Sequence, residues 1–353
     1  MPQSYITGIQ QIGIGVCNAL EAANFYKVLF GMNVLVFDDS SEAKLMTRYT
    51  GNTVYNRRAL LTLNLQGGGG FEVWQFLNRT PKAQNPPSRF GDLGINAAII
   101  KCADINEAHK HLSKQSAISL SEINVLEGLN EASFWVTDNT GHRFLVKQYG
   151  EQFNGLKCAT GGVLGAVIGV SDLQKSLPFY QEILGLNLVL NDRTEEVEDA
   201  NEPEGKLKVR RVLLEKQSDG RGAFGKLLGS VQVELVQRMD GTGKHIYQDR
   251  FWGDPGFIHL CFDVLNMDGL KAHAAASGFH FTIDSQNSFA MEKAAGRFCY
   301  VEDPDGTLIE LVETHRVPIL KSLNLHLNLK KRGLEKPLPD WMVKMLGFSK
   351  LKG

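Results

Sequence analysis

The sequence predicts an α+β fold of four β-α-β-β-β modules in two tandem halves, with modules paired into curved sheets that enclose a cup. Three observations predict it. The stretch IGIGVCNALEAANFYKVLFGMNVLVFDD (12–39) resembles AVIGVSDLQKSLPFYQEILGLNLVLND (166–192). Val16 falls on Val170, Phe25-Tyr26 on Phe179-Tyr180 and Gly31 on Gly185, at a constant offset of 154 residues. A second pair of segments repeats as well: GINAAIIKCADI (94–105) resembles GFIHLCFDVLNM (256–267), and FWVTDNTGHRFLV (134–146) resembles FCYVEDPDGTLIELV (298–312). Finally, the apolar segments alternate with period two and the stretches after them follow helical spacing.

Each module reads alike. In GFIHLCFDV (256–264), Ile258, Leu260, Phe262 and Val264 fall on one face of a strand, and His259, Cys261 and Asp263 on the other. In module one the first strand is followed by an amphipathic helix from Leu20 to Leu29, with Phe25 and Leu29 on one face. Gly31 and Gly185 suit helix C-terminal caps. Three further strands follow, the last two joined by a turn, which is DPDG in module four. Such a unit cannot bury both sheet faces alone, so modules must pair.

With 43% hydrophobic and 22% charged residues, 353 residues suit two ordinary globular domains. The expected division is a first domain at 1–150, a linker at 151–162, a second domain at 163–316 and a basic tail at 317–353. A net charge of -1 gives no reason to expect nucleic acid as partner. Cys17, Cys102, Cys158, Cys261 and Cys299 form no close pairs, which predicts free thiols in a reducing, cytoplasmic setting. The first sixteen residues do not read as a secretory signal, and no apolar run is long enough to span a bilayer. A small-molecule substrate and a monomer or homodimer are expected.

On these residues and repeats the chain resembles the vicinal-oxygen-chelate superfamily, which includes glyoxalase I, bleomycin-resistance proteins, extradiol dioxygenases and methylmalonyl-CoA epimerase. The resemblance rests on the β-α-β-β-β repeat and the DPDG-x-x-x-E ending, and covers about residues 6–314. It implies a glyoxalase-like fold. It also implies metal ligands at a cup-facing position of each first strand and at a carboxylate in each last strand. Module one offers Gln11 and Glu72, module two Asn96 and Leu145, module three Gly165 and Glu234, module four His259 and Glu310. If module one pairs with four, the site gathers Gln11, Glu72, His259 and Glu310, the ligand types of glyoxalase I; this crossed arrangement is preferred. If three pairs with four, Glu234 joins His259 and Glu310 instead. Taken singly, His259 also reads as a hydrogen-bonded buried histidine, and Glu72 and Glu310 as edge carboxylates.

The resemblance to glyoxalase I implies one divalent ion (nickel, zinc, manganese, cobalt or iron) with two positions open for adjacent oxygens of a substrate. The implied activity is a lyase or isomerase acting on a small oxo compound, possibly a thiol adduct. Glu310 is the expected base and Glu72 serves the opposite proton position. Alternatives are a metal-free binding protein of bleomycin-resistance type and an extradiol-type dioxygenase, though the latter would want histidine where Gly165 stands.

Other features read more plainly. Arg57-Arg58 and Arg210-Arg211 are strand charges or holders of an anion. DRTEEVEDANEPE (192–204) reads as a solvated acidic loop. The glycines of QGGGGF (66–71) make no phosphate loop. His109 and His111 are expected to be exposed. Beyond Thr314 the chain carries nine Lys/Arg against two acids. There LPDWMVKMLGF (338–348) predicts a helix capped by Asp340, with Trp341, Met345 and Phe348 packing across the two halves or onto a second subunit.

Overall fold

The computed structural model describes residues 5–126, 131–199, 201–202, 205–286, 289–291, 294–320 and 325–352. Asn18 opens the first helix by accepting a hydrogen bond from the Glu21 N–H, and Gly31 closes it in the left-handed region at φ 63°. Gly185 repeats that closure in module three at φ 74°.

Module one comprises β1 (Ile6–Gly15), α1 (Ala19–Phe30), β2 (Val34–Glu42), β3 (Asn56–Leu63) and β4 (Gly70–Phe76). Module two comprises β5 (Gly94–Cys102), α2 (Ile105–Leu112), short β6 (Ile118–Leu120) and β7 (Asn124–Leu126), β8 (Glu131–Asp138) and β9 (Arg143–Gln148). Module three comprises β10 (Val163–Val170), α3 (Leu173–Pro178), β11 (Leu188–Glu198), β12 (Lys206–Lys216), the single turn α4 (Gly225–Leu228) and β13 (Val231–Arg238). Module four comprises β14 (Gly256–Val264), α5 (Met267–Ala276), β15 (Phe281–Asp284), β16 (Phe289–Met291), β17 (Ala294–Glu302) and β18 (Leu308–Leu320). The tail adds β19 (Leu325–Asn328), α6 (Leu329–Arg332) and α7 (Asp340–Lys344).

The strands form two curved mixed sheets. One runs β15-β17-β18-β14-β1-β4-β3-β2, the other β11-β12-β13-β10-β5-β9-β8-β6. Module four therefore shares a sheet with module one, and module three with module two. The first join is antiparallel, β1 against β14, with Gln11 opposite Cys261 and Gly13 opposite His259. Each sheet draws on both halves of the chain. Residues 151–162 carry no helix or strand, yet they are tied down: Phe153 N donates to Gln66 O and Gly162 N to Gly67 O. Gly67 and Gly68 have φ of 120° and 105°, and a Cβ on Gly68 would lie 2.8 Å from the Gly162 carbonyl carbon. The run of glycines lets two backbones pass in contact.

The main core lies on the helix side and takes residues from both sheets, among them Ile12, Ile100, Ile168 and Leu260. Helix α1 contributes Tyr26, Leu29 and Phe30, while Phe25, expected on the buried face, is only half-buried. Each fully buried side chain of this size contributes about 1.5–3 kcal/mol. The recurring Phe-Tyr pair has a second purpose. Tyr26 OH donates to Asp138 Oδ2 at 2.9 Å, and Tyr180 OH to Asp303 Oδ2 at 2.8 Å. Each tyrosine belongs to one sheet's module and each aspartate to a turn of the other sheet, so the bonds staple the two sheets reciprocally.

Several expectations are corrected. Ile258 packs with the cup-side cluster, not with Leu260 and Phe262, because a register shift between β1 and β14 interrupts the alternation beside it. Residues 192–198 are not loop: they form the outer arm of β11, paired to β12, and Ala200, Pro203 and Glu204 lie outside the described residues. His109 and His111 are half-buried and bond the Ser121 and Val28 carbonyls through Nε2. The C-terminal helix spans only Asp340–Lys344, with Pro339 rather than Asp340 at its N-cap, and continues as a 3-10 turn. Trp341 and Phe348 are 61% and 82% exposed, while Val343 supplies the buried contact. Within the tail, Leu338 N donates to Ala223 O and Leu351 N to Asn33 O, so it does bridge modules three and one. Lys321 lies outside the described residues. Among the described residues no helix is long and apolar enough to cross a membrane.

Candidate metal centre

Two rows of cup-facing residues cross the centre of the first sheet. In one, Gly13 stands between Glu72 on β4 and His259 on β14; in the other, Cys261 stands between Gln11 on β1 and Glu310 on β18. Period two turns all of them to one face, and the small residues between leave room for the longer side chains. A Cβ on Gly13 would lie 2.5 Å from His259 Cε1 and 2.6 Å from Nε2.

The four side chains converge. His259 Nε2 is 3.2 Å from Glu72 Oε2 and 3.1 Å from Glu310 Oε2. Gln11 Nε2 donates to the same two oxygens at 3.3 and 3.4 Å. Potential ligand atoms of Glu72, His259 and Glu310 all lie within 4.8 Å of one another. None of the four residues is more than 7% exposed. Two polar atoms are buried without a hydrogen bond, Gln11 Oε1 and His259 Nε2, one an amide oxygen and the other an imidazole nitrogen. Both are good ligands for a divalent ion. Two carboxyl groups crowded about one imidazole in a buried site are costly to ionise together, and a bound cation relieves that cost. The residues present therefore fit a divalent metal, and the nitrogen-and-oxygen donor set suits nickel, zinc, manganese, cobalt or iron.

Neighbouring groups hold the cluster. Tyr300 OH lies 3.2 Å from His259 Nδ1, which leaves Nε2 facing the carboxylates. Burial, with Glu310 and Glu72 nearby, keeps the Tyr300 phenol well above its ordinary pKa. Trp252 stacks over the imidazole at 6.3 Å, and Trp74 packs edge-on against Trp252. Burial by itself would lower the His259 pKa, but Glu310 and Glu72 outweigh it and hold it above the ordinary value. Burial raises Glu310, His259 draws it back down and Glu72 adds to the rise. The Cys261 thiol, buried and beside both glutamates, is pushed well above its ordinary value and stays protonated. The cluster opens onto a cavity of about 370 Å³. Tyr300 and Trp252 were not singled out from the sequence. Tyr300's place on the strand directly before Glu310 was the available signal.

The other cup takes a different course. Glu234 is held by Arg211, which donates to it through Nε at 2.9 Å and Nη2 at 2.6 Å, and Arg211 also bonds Glu195. Glu234 thus lies in the second sheet and does not join His259 and Glu310. Asn96 is turned to its own loop, accepting from Gly91 N and donating to the Asp92 and Gly94 carbonyls. Pairing of Ile99 with Leu145 matches that of Cys261 with Glu310, so the position equivalent to His259 is Ala97, not Asn96. A Cβ on Gly165 would lie 1.6 Å from the Gln232 carbonyl oxygen, so no side chain fits there. The two arginine pairs are internal: Arg57 and Arg58 bond Asp39 and Asp38, and Arg210 bonds Asp192.

Residues 162–311 match the family model described as the glyoxalase/bleomycin resistance protein/dioxygenase superfamily. The match spans modules three and four, 150 of the 353 residues. The fold likeness runs further. A Bacillus subtilis protein provisionally described as a dioxygenase aligns with 88% of this chain and 86% of its own, at 15% identity and a TM-score of 0.57. Glyoxalase I from Zea mays aligns with 87% of this chain and 92% of its own, at 13% identity and a TM-score of 0.54. At these identities the likeness is one of fold. No curated protein sequence matches the chain. Within a glyoxalase-like fold of four modules, the concentration of donors in a single cup distinguishes modules one and four from modules two and three.

Proposed function

We propose that this chain is a metal-dependent, glyoxalase-like lyase or isomerase acting on a small compound that presents adjacent oxygens, one of them a carbonyl. The observation that carries the reading is the convergence of Gln11, Glu72, His259 and Glu310 at one end of a cavity, with Gln11 Oε1 and His259 Nε2 buried without a hydrogen bond. These four residues would hold one divalent ion, which supplies Lewis-acid polarisation of the carbonyl when bound.

The chain's own groups account for the rest. Glu310 is the base: its carboxylate takes a proton from the carbon beside the carbonyl, and burial makes it a stronger base than an exposed glutamate. Glu72 reaches the same centre from the neighbouring module and serves the opposite proton position. His259 stays a ligand, oriented by Tyr300. Trp252 and Trp74 keep water from the imidazole side. Elemental analysis of protein incubated with nickel, zinc or manganese, together with turnover of methylglyoxal and larger diketones with and without thiols, tests the reading. One ion per chain and turnover of an oxo compound are expected. No bound ion, with tight binding of an aromatic or cationic ligand to the metal-free chain, would replace it with a binding protein of bleomycin-resistance type.

A further inference from the structure

The cavity beside the cluster has a chemistry of its own. Away from Glu72 and Glu310 its wall is formed largely by Leu35, Phe37, Leu61, Trp74, Leu227 and Met345. Among the described residues the cations that line it are Arg57 and Lys44. Arg57 is buried and its Nη1 donates to the Asp39 carbonyl at 2.9 Å and to Asp39 Oδ2 at 2.7 Å. Lys44 sits 2.9 Å from Glu42, with both side chains more than half exposed at the rim. Glu72 and Glu310 are taken up by the proposed ion, and Arg57 and Lys44 are matched by Asp39 and Glu42, so the wall offers an anion no unmatched side-chain cation.

One side of this wall comes from outside the repeated modules. Met345, Leu346 and Ser349 line the cavity from the C-terminal segment. That segment is pinned to module one: Leu35 N donates to Ser349 O at 2.7 Å, Leu351 N to Asn33 O at 2.9 Å, and Lys27 Nζ to Leu351 O at 3.0 Å. Leu351 is 3% exposed.

We infer that the centre takes an uncharged, predominantly apolar oxo compound, not an anionic thiol adduct, and that Met345 and Leu346 of the C-terminal segment set this preference. The inference rests on the function proposed above. Each substrate methylene buried against such a wall strengthens binding roughly fourfold, whereas a carboxylate set against the wall away from the ion loses water and gains no unmatched side-chain cation.

The test uses the full chain with its metal content measured first. Tryptophan fluorescence is titrated with neutral 1-phenyl-1,2-propanedione and with the glutathione adduct of methylglyoxal. The neutral dione should bind at least tenfold more tightly. Met345→Lys should shrink that ratio by about tenfold or more, while Phe348→Lys, at an exposed position away from the cavity, should leave it unchanged. Leu346→Gln, a milder change on the same wall, should shrink the ratio in the same direction and serves if Met345→Lys lowers the thermal midpoint. Tighter binding of the adduct to metal-loaded protein, or a ratio unmoved by both wall variants, overturns the inference. A chain that takes up no metal yet prefers the dione overturns the catalytic reading and supports the cavity inference.

Discussion

Gly13 lies directly beneath the imidazole of His259, across the antiparallel join of β1 and β14, with no space between them for a methyl group. Gly13 has no positive φ, so its role is to provide room, not backbone freedom. Gly13→Ala should push the ring off the centre, lower metal occupancy at limiting metal about tenfold or more, and cost about 1–3 kcal/mol in stability. Metal titration and thermal unfolding of the variant check this. Full occupancy at an unchanged midpoint would contradict it.

His259 and Glu310 should separate as ligand and base. His259→Ala should lower activity by losing metal, with partial recovery in excess metal. Glu310→Gln retains an oxygen donor and the side-chain shape, so it should keep most of the metal while turnover falls about a hundredfold to ten-thousandfold. A metal-loaded, fully active Glu310→Gln would remove Glu310 from the base role.

Glu234 should behave as structure. Glu234→Gln weakens its paired bonds to the buried Arg211 and should lower stability by about 1–3 kcal/mol, leaving metal stoichiometry unchanged. Loss of the metal in this variant would place Glu234 at the centre after all.

The two tyrosine staples should differ in strength. Asp138 Oδ2 keeps His142 Nδ1 at 3.1 Å when Tyr26 OH is removed, whereas among the described residues Asp303 Oδ2 has Tyr180 as its hydrogen-bond partner. Tyr26→Phe should cost about 1 kcal/mol and Tyr180→Phe about 2–3 kcal/mol, as read by denaturant unfolding. Equal losses would show that the turns rearrange to compensate.

Asp263 should impose a pH dependence on stability. Burial raises its carboxyl to about 7, against the lowering effect of a 2.5 Å bond from Thr7 Oγ1 and with a further rise from Glu313. The unfolded chain releases this proton near pH 4, so between about pH 4 and 7 the folded state holds a proton that the unfolded state has lost. Stability from this group is complete at low pH, declines as pH rises through that window and is gone above 7. Asp263→Asn should flatten that limb and raise the thermal midpoint at pH 8 more than at pH 5. An identical pH profile in wild type and variant would show that Asp263 is not the group responsible.

Local pattern alone was enough to reveal the modules. Strand and helix periods are properties of neighbouring residues, so the Val16–Val170 and Gly31–Gly185 repeats, the DPDG turn and the inward face shared by His259 and Cys261 could be read directly. The same periodicity assigned Gln11 to the face of Gly13, which the sheet also shows. Which modules share a sheet was not local information. A first strand presents the same alternating pattern whether β14 or β10 lies beside it, so crossed and neighbouring pairings remained open until β1 met β14 over residues separated by some 250 positions. Register was hidden in part: a shift of one residue moves a side chain to the opposite face, which is why Ile258 was placed with the helix-side core, whereas Ala97 rather than Asn96 already falls on His259 when Gly94 is set on Gly256. The partners of Arg57, Arg211 and Tyr26 are carboxylates that only folding brings near. The sequence by itself determined the repeating unit and the chemical character of the donors. Tertiary structure decided which donors meet, because sheet pairing depends on burying faces contributed by distant segments.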